Sequence, residues 1–130
     1  MTDHNEALIK NIIDDIRLGW ENGAGAALRK HFLDWDRARY FEEGDQNVRL
    51  EDLIVNHVEP EAELGLHLDF TDIQTHFEDN FSWAVVNTDI KLTTKSGRNI
   101  HNKGRGTYLF RWINDTWKVV HTQSASKTVK

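Results

Sequence analysis

The amino-acid sequence predicts an α+β fold: helices first, then a long curved antiparallel sheet that wraps the first helix. Three observations carry this. Apolar residues recur at helical spacing up to His57 and at period two from Leu66 onward. The stretch 81–124 alternates almost throughout, broken by a Lys-Ser-Gly-Arg turn at 95–98 and an Asn-Asp turn at 114–115, which read as tight hairpins. Gly104 and Gly106 stand in mid-strand, where glycine marks a sharp bend or a close backbone approach.

Taken in order, Leu8, Ile9, Ile12, Ile13, Ile16 and Trp20 form one apolar stripe, while Lys10, Asp14, Asp15 and Arg17 fall elsewhere. This is an amphipathic helix with one buried face. Asp3-x-x-Glu6 resembles a capping box at its start, and Asn22-Gly23 ends it. A shorter helix is expected over 24–32, with Leu28 and Phe32 inward. Arg39-Tyr40-Phe41 reads as a short strand and Glu43-Gly44-Asp45 as a turn. Leu50, Leu53, Ile54 and His57 follow the i, i+3, i+4, i+7 pattern of a third helix, which Pro60 is expected to stop. Leu66, Leu68 and Phe70 share one strand face, whereas Ile73, Thr75 and Phe77 have the opposite parity. That phase change predicts a β-bulge near Thr71 or Asp72.

Composition bounds the function. With 130 residues the chain reads as one domain, 1–130, with a single core. A net charge of −5 argues against general nucleic-acid binding, which needs clustered Lys and Arg. No apolar run approaches the roughly 20 residues that span a bilayer. The first residues lack the basic-then-apolar order of a secretory signal, so a cytoplasmic protein is expected. There is no cysteine, hence no thiolate nucleophile or thiolate metal site. The seven histidines lack the spacing that sets two imidazoles on one face, so no metal is expected. No Gly-rich phosphate loop or Gly-x-Ser-x-Gly elbow is present, and no cofactor is expected.

Idealised two-residue turns at Ser96-Gly97 and Asn114-Asp115 set a register for the last three strands. Trp83 then lies opposite Phe110 and Val119, and Val85 opposite Tyr108 and His121. One face collects Trp83, Val85, Tyr108, Phe110, Trp112, Trp117 and Val119, with Asn87, Asp89, His121 and Gln123 at its far end. An aromatic floor with polar groups at one end is the usual character of a small-molecule site. The other face carries Val86, Ile90, Leu109 and Val120. Such apolar surface asks for cover, and a second copy of the chain is expected to supply it as a homodimer.

This layout, with the ending WKVVHTQSAS, resembles the nuclear transport factor 2-like (NTF2-like) superfamily, and within it the SnoaL-like and ketosteroid-isomerase-like small domains. The final hairpin, TYLFRW, a two-residue turn and WKVVHTQS, is similar to that family's last two strands. The resemblance implies a cone-shaped, cystatin-like roll with a pocket between sheet and helices, commonly a homodimer. Its members include isomerases, cyclases, dehydratases and non-catalytic association domains. Their catalytic sets do not transfer as they stand: the first helix offers no inward tyrosine, and His121 or Gln123 stands where polyketide cyclases of this type carry a late-strand acid.

The expected function is binding of a small apolar molecule, with isomerisation, cyclisation or dehydration by proton transfer as the expected chemistry. The alternative is a non-catalytic ligand-binding or homo-oligomeric association domain. His121 is the candidate proton carrier, because imidazole exchanges a proton near neutral pH. The competing reading is a core-edge histidine satisfied by a neighbour such as Tyr108. Tyr108 and Asp36 complete the expected catalytic set. Trp35, Tyr40, His57, Trp83, Asn87, Phe110 and Gln123 are the expected ligand contacts. His57 competes with a bland role bonding to nearby backbone, and Asp36 with a water-facing turn.

Overall fold

Helix α1 (Glu6–Asn22) forms where the isoleucine stripe predicts it; in the computed structural model, which describes residues 2–130, Ile9, Ile13 and Ile16 are fully buried. Each such side chain withdrawn from water contributes about 1.5–3 kcal/mol, so the stripe fastens the helix to the sheet. The helix is capped by Asn5 rather than Asp3, the Asn5 Oδ1 accepting the Leu8 N–H at 3.3 Å. Asp3 does other work: its carbonyl accepts the Trp117 indole N–H at 2.8 Å. Beside it, His4 stacks on Phe77 with ring centroids 5.0 Å apart. Gly23, at φ 65°, closes the helix as expected.

Helix α2 (Gly25–His31) follows, then a small hairpin of β1 (Arg39–Glu42) and β2 (Asp45–Asn47). The third helical stretch differs from expectation. Pro60 does not stop it; α3 (Leu50–Leu53) runs through a π-helical turn (Ile54–Val58) into α4 (Glu59–Glu63), with Pro60 in the first turn of α4. Proline has no N–H and crowds the carbonyl four residues before it. The wider turn, in which the Glu59 N–H bonds back to the Ile54 carbonyl, admits the ring where a regular helix would break.

The sheet has six strands in the order β2-β1-β6-β5-β4-β3, where β3 is His67–Glu78, β4 Phe81–Thr93, β5 Asn99–Ile113 and β6 Thr116–Thr128. It is curved and unclosed. All neighbours are antiparallel except β1, which lies parallel to β6. The predicted bulge is present: the β3–β4 register shifts between Thr71 and Gln74, and Asp72 has φ 53°. The Asn114-Asp115 turn has both residues at positive φ, 52° and 61°, as a two-residue hairpin turn requires.

Two register shifts redistribute the faces. The β4–β5 connection is longer than two residues: Thr93 pairs with Asn99, and the Thr94 hydroxyl accepts the Arg98 N–H at 3.1 Å. Tyr108 therefore lies opposite Ala84, and Phe110 opposite Ser82, correcting the expected Val85 and Trp83. Along β6 the expected register holds from Trp117 to Val119, then slips at a bulge opposite Leu109 and Phe110. Beyond it His121 faces Leu109, and Thr122 faces Tyr108. The inner face thus carries Ser82, Ala84, Val86, Tyr108, Phe110, Trp117, Val119 and Thr122, all at most 8% exposed. The outer face carries Trp83, Leu109, His121 and Phe41. Val86 and Val120, expected on the outer face, are buried. No helix of the described residues is long and apolar enough to cross a membrane.

Gly104 shows how tightly β5 and β6 approach: a Cβ there would lie 2.0 Å from the Ala125 carbonyl oxygen, whereas one on Gly106 would meet nothing nearer than 3.5 Å. Gly104→Ala is expected to destabilise the protein by about 1–3 kcal/mol. Gly106→Ala should cost less than half as much, and denaturant unfolding of both variants checks the contrast.

Candidate functional site

Between α1, the 50–63 helical stretch and the inner sheet face lies a hollow of about 40 Å³, partly open to solvent. A water needs roughly 10–15 Å³ of such space, so the hollow admits a few waters or the slender part of a ligand. Its walls are Trp20 from α1, Leu66 just before β3, Leu68 and Phe70 at the start of β3, and Tyr108 from β5. The wall is fixed at the end of α1, where the Glu21 carboxylate accepts the Leu68 N–H at 2.7 Å and Arg17 donates to the Leu68 carbonyl at 3.3 Å.

The polar end is built by the parallel pairing of β1 with β6, which sets Tyr40 beside Thr122 and Glu42 beside Ser124. Glu42, Thr122 and Ser124 all line the hollow. Burial pushes the Glu42 carboxyl up to about 7; the Ser124 hydroxyl pulls it back, and Glu61 and Glu43 push it further up. The Ser124 Oγ is buried and close enough to favour the Glu42 carboxylate, but it falls short of hydrogen-bond geometry there and has no partner among the described residues. Tyr108 is only 8% exposed, and burial together with the nearby Glu42 charge raises its phenol, keeping it a proton donor over the whole working pH range.

His57 sits at the rim, on the π-helical turn. Its Nδ1 is 3.1 Å from Glu61 Oε2 and its Nε2 3.3 Å from Asp45 Oδ2. The Glu61 hydrogen bond raises its proton affinity against the opposing effect of burial. Among the described residues no group of three or more His, Cys, Asp or Glu is arranged to hold a metal ion.

Of the residues singled out from sequence, the structure brings Tyr108 into the hollow, His57 to its rim, and Gln123 to its lining at the strand backbone. The Gln123 side chain is exposed. His121 points the other way: its Nδ1 donates to the Arg39 carbonyl at 2.5 Å, and its ring packs edge-on to Phe41 at 5.2 Å. Trp83, 37% exposed, stacks on His76 at 4.3 Å on the outer face, and Asn87 shares that face. Tyr40 and Phe110 are core, the Tyr40 hydroxyl donating to the Leu33 carbonyl at 2.6 Å. Asp36 is exposed in a turn, and Trp35 packs half-buried against the core, its indole N–H without a partner among the described residues. The carboxylate at the centre, Glu42, was not singled out. One signal pointed to it: Glu42 has the parity of the apolar Tyr40 in a short strand, so it faces the same way.

A carboxyl with a raised folded value destabilises the protein once ionised. The unfolded chain releases this proton near 4.5 while the folded chain holds it to about 7. Stability contributed by Glu42 is therefore present below the lower value and lost as pH rises between the two. Glu42→Gln should match the parent in stability near pH 4 and exceed it by about 2–3 kcal/mol near pH 8. Urea unfolding at both pH values checks this.

A search of curated proteins finds no match. Among solved structures the chain is similar to an NTF2-like superfamily protein from Salmonella enterica serovar Typhimurium, at 14% identity and TM-score 0.83 over 94% of this chain and 89% of that one. It is similar to a protein of the NTF2-like family from Streptomyces avermitilis, provisionally assigned as a dehydratase, at 12% identity and TM-score 0.81 over 98% and 100% of the two chains. A provisionally assigned ketosteroid isomerase from Shewanella frigidimarina matches at 16% identity and TM-score 0.76 over 92% and 96%. Identities this low speak for a shared fold alone. The sequence profile of the SnoaL-like domain, however, matches residues 9–127, nearly the full length, and the chain belongs to that family.

Proposed function

We propose that this SnoaL-like domain binds a small, largely apolar molecule in the hollow and moves a proton on it, in an isomerisation, cyclisation or dehydration. One arrangement carries the reading: Glu42, whose carboxyl burial pushes up to about 7, lines the same largely apolar hollow as the buried Tyr108 phenol. A base poised near the working pH combines a useful ionised fraction with enough proton affinity to act. Glu42 takes the role expected of His121, removing a proton from carbon next to a carbonyl or leaving group. The Tyr108 hydroxyl donates to the oxyanion that develops, and Thr122 and Ser124 offer further hydroxyls on the same wall.

The experiment is exchange of the α-hydrogens of small ketones, such as cyclopentanone, for deuterium, followed by NMR in heavy water. The protein should accelerate exchange, with a rate that rises through about pH 7 and then levels as Glu42 ionises. Glu42→Gln should slow it by roughly 10²–10⁴-fold. Tyr108→Phe should slow it by roughly 10²-fold. Exchange unchanged in Glu42→Gln would sink the assignment of the base.

A second reading concerns assembly. Trp83 is 37% exposed on an outer face that also carries Leu109, Phe41 and His121. We propose that two copies meet there. Light scattering should give a dimer mass, and Trp83→Glu should return a monomer; a parent protein already monomeric at micromolar concentration would refute it.

A further inference from the structure

The hollow is one-sided in charge. Two carboxylates, Glu42 and Glu61, line it, and no lysine, arginine or histidine does. The arginines nearby are engaged elsewhere: Arg17 with Asp14 and Glu21, Arg29 with Glu51, Arg49 with Asp34. Glu61 has His57 beside it, but Glu42 has no ion-pair partner among the described residues. A half-buried carboxylate without a cation gives up part of its hydration, and the Ser124 hydroxyl and the His57 imidazole replace only some of it. Trp20, Phe70 and Tyr108 also line the hollow, and aromatic rings attract cations to their faces. The two lining carboxylates favour positive charge in the cavity, with His57 at the rim opposing them in part.

We propose that the hollow selects a small organic cation: a protonated amine on a slender apolar body, its ammonium beside Glu42 and its chain among Trp20, Leu66, Leu68 and Phe70. This rests on the reading of the hollow as a ligand site and adds the class of ligand. It also couples binding to the base. The groups facing Glu42 are Glu61, Glu43, His57 and Tyr108; the two carboxylates disfavour its ionisation and His57 favours it. An ammonium placed there outweighs the repulsion and drives the proton off Glu42 into solvent. The substrate's own charge thus converts the half-protonated acid into the carboxylate that abstracts a proton.

The test uses three isosteric probes, n-butylammonium, 1-butanol and butyrate, titrated into ¹⁵N-labelled protein, with shifts of the Gly106, Thr122 and Ser124 amides as the readout. Near pH 8, butylammonium should bind about tenfold or more tightly than butanol, and butyrate more weakly than either. Near pH 5, with Glu42 protonated, that advantage should shrink to about threefold or less. Glu42→Gln should abolish the advantage while butanol still binds, which separates lost charge recognition from lost fold. Calorimetry near pH 7 in two buffers of different ionisation enthalpy should record release of about half a proton per ammonium bound. Butanol binding as tightly as butylammonium, or butyrate matching it, would overturn the cation preference and leave the hollow as a ligand site. Failure of all three probes to shift these amides would overturn the ligand site and this inference together.

Discussion

The site hangs on one backbone constraint: the extra residue in β6 opposite Leu109 and Phe110. Before it, Trp117 and Val119 point inward and seal the core; after it, Thr122 and Ser124 do. Without that residue His121 and Gln123 would face the hollow, and the polar end would hold an imidazole and an amide instead of two hydroxyls. The bulge also bends β6. The short strand β1 lies along the bent strand and delivers Glu42 to Ser124.

That delivery places an acid where the fold has least use for one. The core beside it is mainly apolar, with Ile9, Ile13, Ile16, Phe110, Trp117 and Val119 all fully buried and Asn47 and Ser82 among its few polar members. Glutamine in place of Glu42 would fill the same volume without a charge to desolvate. A carboxyl kept in such surroundings is the pattern expected where a site sets proton affinity by environment. The cost is moderated locally, because the Ser124 hydroxyl and the His57 imidazole both lie close enough to favour its charge.

Local chemistry made most of the fold legible in the sequence. The isoleucine stripe of α1, the Asn114-Asp115 turn and the phase change at Asp72 each lie within a few residues, and each has its predicted form. Sidedness was less legible, because it depends on counts between distant residues. One longer loop at 94–98 and one bulge in β6 shifted β4 and the end of β6 by a residue each, in opposite directions along β5, so both exchanged faces together. The two strands therefore stayed mutually consistent in the mistaken register, and agreement between hairpins gave no warning. Glu42 was harder still, since its partner Ser124 reaches it only through a parallel pairing that no hairpin dictates.

The π-helical turn has a bearing on how this scaffold diversifies. Each residue advances a helix by roughly 100°, so one residue more or less in the stretch 54–58 would swing everything after it to a new azimuth. Glu61 faces the hollow, and His57 reaches both Glu61 and Asp45, only at the present count. Chain length at this turn is therefore a variable in its own right. A one-residue deletion would turn Glu61 away from the mouth together with the buried Val58, a coupled change that no single substitution can make.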